Sequence, residues 1–89
     1  MSVVWTPQAR AEREAAIEYI AEDNPVASLD QLAEIKKQTN LLATQPKMGR
    51  AGRIKGTREL VISRTPFIAV YRIVGQRVEI LRFLHGAQM

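Results

Sequence analysis

Two β-rich runs, 67–74 and 77–85, flank the dipeptide Gly75-Gln76, and no other feature of the chain limits its fold so strongly. Val, Ile, Phe and Tyr recur through both runs, and a two-residue link whose glycine takes positive φ joins antiparallel neighbours in a tight hairpin. Alternation sets Phe67, Ala69, Tyr71 and Ile73 on one face of the first run and Ile68, Val70, Arg72 and Val74 on the other. In the second run Val78, Ile80, Arg82 and Leu84 oppose Glu79, Leu81, Phe83 and His85. Apolar side chains fall on both faces, so one face packs against other elements and the second is partly covered or meets a partner. The hairpin register pairs Val74 with Arg77 and Arg72 with Glu79, a cross-strand ion pair. The same register sets Arg82 opposite Ala69, where it has no such partner.

Upstream the period changes. The apolar run 2–5 reads as an edge or initiating strand, and Thr6-Pro7 as the N-cap and first turn of a helix. Ala11, Ala15, Ile17, Ile20 and Ala21 follow at helical spacing, with Glu12, Glu14 and Glu18 turned to water. Asp23-Asn24-Pro25 stops this helix, because the residue before a proline resists the α region. A second helix over 26–44 carries Leu29, Leu32, Ile35, Thr39 and Leu42 on one stripe, and so short a link makes an antiparallel helical hairpin. A short strand over 59–63, reversed by Arg64-Thr65-Pro66, completes the pattern. The expected fold is α+β: a single domain over 1–89, ordered β-α-α-β-β-β, with an antiparallel sheet packed against a helical hairpin and the first strand at an edge.

Charge is divided between the halves. Residues 1–46 carry four Lys/Arg against seven acids, whereas 47–89 carry nine against Glu59 and Glu79, for a net +7. Such a surplus suits an anionic partner or substrate. The stretch 45–56 (Q-P-K-M-G-R-A-G-R-I-K-G) concentrates three glycines and four cations, which excludes a long regular element but leaves room for a brief strand at Arg53-Ile54. It lacks the spacing and terminal Lys-Ser/Thr of a phosphate-binding P-loop. With no cysteine and one histidine, thiolate chemistry and multi-histidine metal sites are excluded, and no cofactor or metal is expected. No run is long and apolar enough for a signal peptide or membrane span, so the expected location is the cytoplasm.

Several segments together resemble one family. Pro46-Lys47-Met48-Gly49-Arg50, Gly56-Thr57-Arg58-Glu59-Leu60, Phe67-Ile68-Ala69-Val70-Tyr71-Arg72 and Val78-Glu79-Ile80-Leu81-Arg82-Phe83-Leu84-His85-Gly86 resemble the ParE toxins of the ParE/RelE superfamily of bacterial type II toxin–antitoxin systems. Trp5 and the helix end Tyr19-Ile20-Ala21-Glu22-Asp23-Asn24-Pro25 fit the same pattern. The resemblance implies the β-α-α-β-β-β fold, a cytoplasmic toxin serving plasmid or chromosomal stabilisation, and a cognate antitoxin forming a hetero-oligomer with it. ParE-like members poison DNA gyrase, while RelE-like members cleave mRNA on the ribosome.

Cleaving RNA requires a base, an acid and cations for the phosphorane charge. As a nuclease this chain would use His85 as base or acid with Arg58 and Arg82 as phosphate clamps. The lysine-rich middle strand and basic C-terminal segment of the ribosome-dependent nucleases are missing: the corresponding strand reads R-E-L-V-I-S and the chain closes on Gly86-Ala87-Gln88-Met89. The expectation is therefore a gyrase poison without chemistry of its own, engaging its target through Arg50, Arg53, Arg58, Arg64, Arg82 and His85. Glu59 is expected to fix Arg58 by a salt bridge. The alternatives are an mRNA endoribonuclease and, because ParE-like chains usually continue past His-Gly to a Trp, a non-toxic remnant that only binds antitoxin. The antitoxin is expected to bring an acidic, amphipathic C-terminal arm that folds as a helix into the half-covered groove. A basic loop and a few arginines beside an apolar groove suit an acidic protein better than bare duplex.

Overall fold

Thr6 makes the first change of direction. Its hydroxyl accepts from the Ala9 amide (3.1 Å) and donates to the Leu81 carbonyl (3.3 Å), so one side chain both caps a helix and ties it to the sheet. The computed structural model describes residues 1–88, so Met89, on which the short-tail expectation turns, lies outside the described residues. The elements are β1 (Ser2–Trp5), α1 (Pro7–Asp23), α2 (Pro25–Asn40), β2 (Arg50–Ala51), β3 (Arg58–Val61), β4 (Phe67–Val74) and β5 (Arg77–His85). A 3-10 turn, Leu41–Ala43, follows α2, and another, Gly86–Gln88, follows β5.

Asn24 does double duty between the helices. Its amide donates to Ile20 O (2.8 Å), closing α1, and its Oδ1 accepts from the Ala27 amide (3.1 Å), opening α2. Asn24→Ala should cost about 1 kcal/mol and lower Tm by about 4–8 °C. Thermal unfolding checks this; an unchanged Tm would mean that helix packing alone fixes the turn.

The sheet order is β1-β5-β4-β3-β2. The β2–β3, β3–β4 and β4–β5 pairs are antiparallel, as expected, while β1 runs parallel to β5 at the edge. Both helices follow β1 and form a crossover, which is the connection that parallel neighbours require. The brief strand in the basic stretch is Arg50–Ala51 and not the expected Arg53-Ile54. Gly52 N donates to Thr57 O (2.8 Å), so residues beyond Gly52 form the turn.

The β4–β5 hairpin turns at Gly75 (φ 57°) and pairs Arg72 with Glu79, as its register predicts. Further along, the alternation fails. Val70 lies opposite Arg82 but Tyr71 lies opposite Ile80, which leaves Leu81 as an extra residue in β5. This bulge moves Phe83 onto the core side with Val78 and Ile80, and puts Arg82 opposite Val70 in place of the expected Ala69. Phe83 then packs against Phe67 and Trp5, with ring centroids 4.9 and 5.8 Å apart.

The core joins these aromatics to Ile35, Leu42, Leu60, Ile62, Ala69 and Tyr71, with Ala9, Ala16, Ile17 and Ile20 supplied by α1. Two helix-face expectations are corrected here. Ala11 and Ala15 are exposed, because α1 turns Ala9 and Ala16 inward beside the expected Ile17 and Ile20, and Leu29 is 67% exposed near the start of α2. β1 is paired with β5 only as far as Ile80. Beyond it the polar groups of β5 are satisfied by the start of α1: Thr6 takes Leu81 O, and Glu12 Oε1 accepts from the Phe83 amide at 2.9 Å.

Candidate functional site

The basic stretch is held by three side chains of the sheet. Tyr71, wholly buried in β4, donates its hydroxyl to Pro46 O (2.7 Å) and accepts from the Gly49 amide (2.9 Å). Arg58 of β3 donates to Gly49 O (2.8 Å) and Lys47 O (3.3 Å). Glu59, only 4% exposed, accepts from the Arg50 guanidinium (3.0 Å) and from the Arg53 amide (3.2 Å). Glu59 therefore fixes Arg50 and not, as expected, Arg58. Neighbours on a strand point to opposite faces, so a carboxylate at 59 cannot share the side of a guanidinium at 58. The side chain of Glu59 instead follows Arg50, its direct cross-strand partner in the β2–β3 ladder.

Two carboxylates carry the electrostatics. Burial works against the ionised Glu59, but the Arg53 amide and the Arg50 guanidinium outweigh it and hold its pKa below the usual carboxylate value. At Glu12 burial is likewise opposed and overcome, by Arg82 and the Phe83 amide. Arg82 closes on Glu12 through two nitrogens at 2.8–3.1 Å, which raises its own pKa. Glu12 was expected to face water and Arg82 to lack a partner; the bulge at Leu81 and the uncovered edge of β5 bring them together.

The consequence for stability has a definite sign. Both folded-state pKa values are depressed, so these groups contribute fully above the unfolded carboxylate value, and that contribution is lost as pH falls through the lower folded value. Thermal melts should therefore show Tm falling on acidification below the ordinary carboxylate range. Glu59→Gln should flatten part of that fall, and an identical slope in the variant would remove Glu59 from this role.

The remaining candidates are dispersed. Arg64, 77% exposed and with positive φ (65°) in the β3–β4 reversal, reaches Glu34 at 3.5 Å. His85 Nδ1 accepts from the Ala87 amide (3.1 Å), and its ring stands edge-on to Phe67 at 5.9 Å. Arg82 and His85 border the same groove, of about 770 Å³, formed by Ala15, Ala16, Tyr19 and Ile20 of α1 with Phe67, Phe83 and Leu84 of the sheet. Arg58 is not among its lining residues. The nuclease trio is thus divided, with each member engaged by its own fold. The groove borders α1 and β5, and the basic stretch joins the sheet through β2 at the edge farthest from β1, so loop and groove are separate surfaces and not the single one expected.

Among the described residues no group of His, Cys, Asp or Glu could hold a metal ion, and no helix is long and apolar enough to cross a membrane. Sequence reasoning missed Tyr71 as an anchor for the loop. A hydroxyl in an otherwise apolar strand was the available signal, since a buried tyrosine needs a polar partner.

Comparison with known proteins gives a consistent result. The family profile described as the ParE toxin of type II toxin–antitoxin system, parDE, matches residues 3–89. The Y4kP protein of Sinorhizobium fredii is 42% identical over 84 residues, covering 94% of this chain and 86% of that protein. Toxin RelE2 of Caulobacter vibrioides is 32% identical over 87 residues, covering 98% and 97%. A solved structure of the chromosomal ParDE toxin–antitoxin system from P. aeruginosa superposes with a TM-score of 0.86 at 30% identity, covering 96% of this chain and 95% of the other.

Proposed function

Since the chain belongs to the ParE toxin family of type II toxin–antitoxin systems, we propose that it is the toxin of such a pair, silenced by a cognate antitoxin and, once free, a poison of DNA gyrase. The observation that carries the target is the dispersal of the nuclease candidates. Arg82 and His85 border one groove, but Arg82 is committed to Glu12 and His85 lies against Phe67 and the Ala87 amide, while Arg58 is committed to loop carbonyls away from that groove, so the three do not converge on one point. A poison that acts by binding needs no such convergence. It needs a shaped surface, and Tyr71, Arg58 and Glu59 give the basic loop one.

The groove between α1 and the end of β5 is the seat proposed for the antitoxin. Its alanines leave room for a second helix to lie against α1, and Tyr19, Ile20, Phe67 and Leu84 offer apolar anchoring. An acidic arm continuing beyond the groove would complement the net +7 of residues 47–89.

Expression in cells tests this reading. The protein alone should arrest growth and leave broken chromosomal DNA with mRNA intact, and co-expression of its antitoxin should restore growth. Codon-specific mRNA cuts with intact DNA would favour the RelE-type activity, and harmless expression would favour an antitoxin-binding remnant.

A further inference from the structure

The turn between β2 and β3 has features that neither the fold nor the antitoxin groove uses. No acidic residue occurs between Glu34 and Glu59, an interval holding Lys36 and Lys37 of α2 and then Lys47, Arg50, Arg53, Lys55 and Arg58. Arg50 is neutralised by Glu59 and Arg58 is spent on carbonyls, but Lys47, Arg53 and Lys55 have no ion pair among the described residues. Between Arg53 and Lys55 stands Ile54, 71% exposed. Its backbone is fixed: Ile54 O accepts from the Thr57 hydroxyl (2.6 Å) and amide (3.1 Å), Gly52 N donates to Thr57 O, and Glu59 holds the Arg53 amide. An aliphatic side chain is thus presented on a fixed backbone at a ribbon tip, between two cations that form no ion pair among the described residues.

We propose that this tip is a binding element for duplex DNA, with Arg53 and Lys55 on phosphates and Ile54 as an apolar wedge at a base step. Isoleucine is among the side chains that unstack base steps from the minor groove when cations lie beside them. The placement fits a toxin whose groove is reserved for another partner, since the tip lies at the β2 edge and contributes no residue to the groove; the expected preference of the loop for an acidic protein over bare duplex depended on loop and groove sharing one surface, which they do not. The proposal deepens the gyrase reading and rests on it for where the DNA is met, namely the duplex held by the enzyme.

The test uses the purified protein and a fluorescent 20-base-pair duplex, with affinity measured by anisotropy from about 50 to 200 mM salt. The log–log salt slope should be about −2, as for the two phosphates that Arg53 and Lys55 neutralise. Arg53→Gln/Lys55→Gln should bring the slope close to zero and weaken binding more than tenfold. Lys36→Gln/Lys37→Gln removes the same charge from α2 and should leave both unchanged. Ile54→Ser should keep the slope but lose duplex unwinding, read as a topoisomer shift after relaxation of plasmid. Absence of wild-type binding, equal losses in the two double variants, or unwinding by Ile54→Ser as strong as by wild type would overturn the proposal. So would a tip whose substitution weakens binding to gyrase in the absence of DNA, which would make an acidic protein surface its partner. If the DNA results hold while wild-type protein leaves gyrase unaffected, the tip proposal stands and the gyrase reading falls.

Discussion

Gly49→Ala is expected to destabilise the protein by about 2–3 kcal/mol and to abolish its toxicity. A Cβ at this buried position would lie 2.7 Å from both the ring edge and the hydroxyl of Tyr71, and 2.9 Å from the Glu59 carbonyl. None of these can retreat easily. Tyr71 is wholly buried and belongs to β4, and the Glu59 carbonyl is backbone of a central ladder. Relief requires the loop to move outward, which breaks the Gly49–Tyr71 and Gly49–Arg58 hydrogen bonds together and leaves the Tyr71 hydroxyl short of a partner in the interior. Urea unfolding measures the loss. A variant with unchanged stability and full toxicity would mean that the loop is not the shaped surface described above. Glycine is needed here for lack of volume and not for φ, in contrast to Gly56 and Gly75, where a Cβ would meet open space but φ is positive.

Arg50→Ala is expected to cost about 1–2 kcal/mol at neutral pH, more than Glu59→Gln, although both break one half-exposed ion pair. The asymmetry comes from burial. Arg50 is 57% exposed and regains water when its partner goes, whereas Glu59 is 4% exposed and would be left as a charge with little but the Arg53 amide beside it. Without Arg50 the burial that now works against the Glu59 carboxylate would prevail, and its pKa would rise. Protonation then removes the stranded charge, so the gap between Arg50→Ala and wild type should narrow as pH falls, because wild type loses stability in the same direction. Urea titrations at neutral and acidic pH decide it. A gap that stays constant or widens would mean that Arg50 acts through packing alone. The comparison also separates Arg50, whose loss is structural, from Arg53, whose guanidinium forms no ion pair among the described residues and acts on Glu59 only at longer range, so that its removal should cost far less than that of Arg50.

Much of the fold was legible because short-range chemistry decides it. Thr6-Pro7, Asn24-Pro25 and Gly75-Gln76 each determine a local geometry that no distant contact overrides, and β4 and β5 fall where alternation and the hairpin put them. The Arg72–Glu79 pair was legible for the same reason: it lies on the turn side of the bulge, where counting from the hairpin still holds. Beyond Leu81 counting fails. One extra residue exchanges the faces of Phe83 and Arg82, and nothing in Ile80-Leu81-Arg82-Phe83 announces it. The parallel β1 and the inward face of α1 were hidden because both depend on how the crossover docks against β5.

The site was legible in composition but not in connection. The cations lie where the sequence put them, in the loop and along the strands, yet their partners sit across the sheet or on another element: Glu59 for Arg50, Glu12 for Arg82, Glu34 for Arg64. These pairs bring in only Glu12 and Glu34 beyond the Glu59 and Glu79 already counted in the +7, so nine cations face four acids and a surplus of +5 remains; the cations with no ion pair among the described residues are Lys47, Arg53, Lys55 and Arg58, all within 47–58. The unpaired part of the surplus thus gathers along the loop and the turn that follows it, with the apolar groove standing apart.

The most direct measurement is plasmid supercoiling by purified gyrase with the toxin added alone and then with its antitoxin. Inhibition accompanied by linear plasmid after detergent and protease treatment, and relieved by the antitoxin, is the predicted result. Unimpeded supercoiling at toxin concentrations that cut mRNA in a translation extract would contradict it.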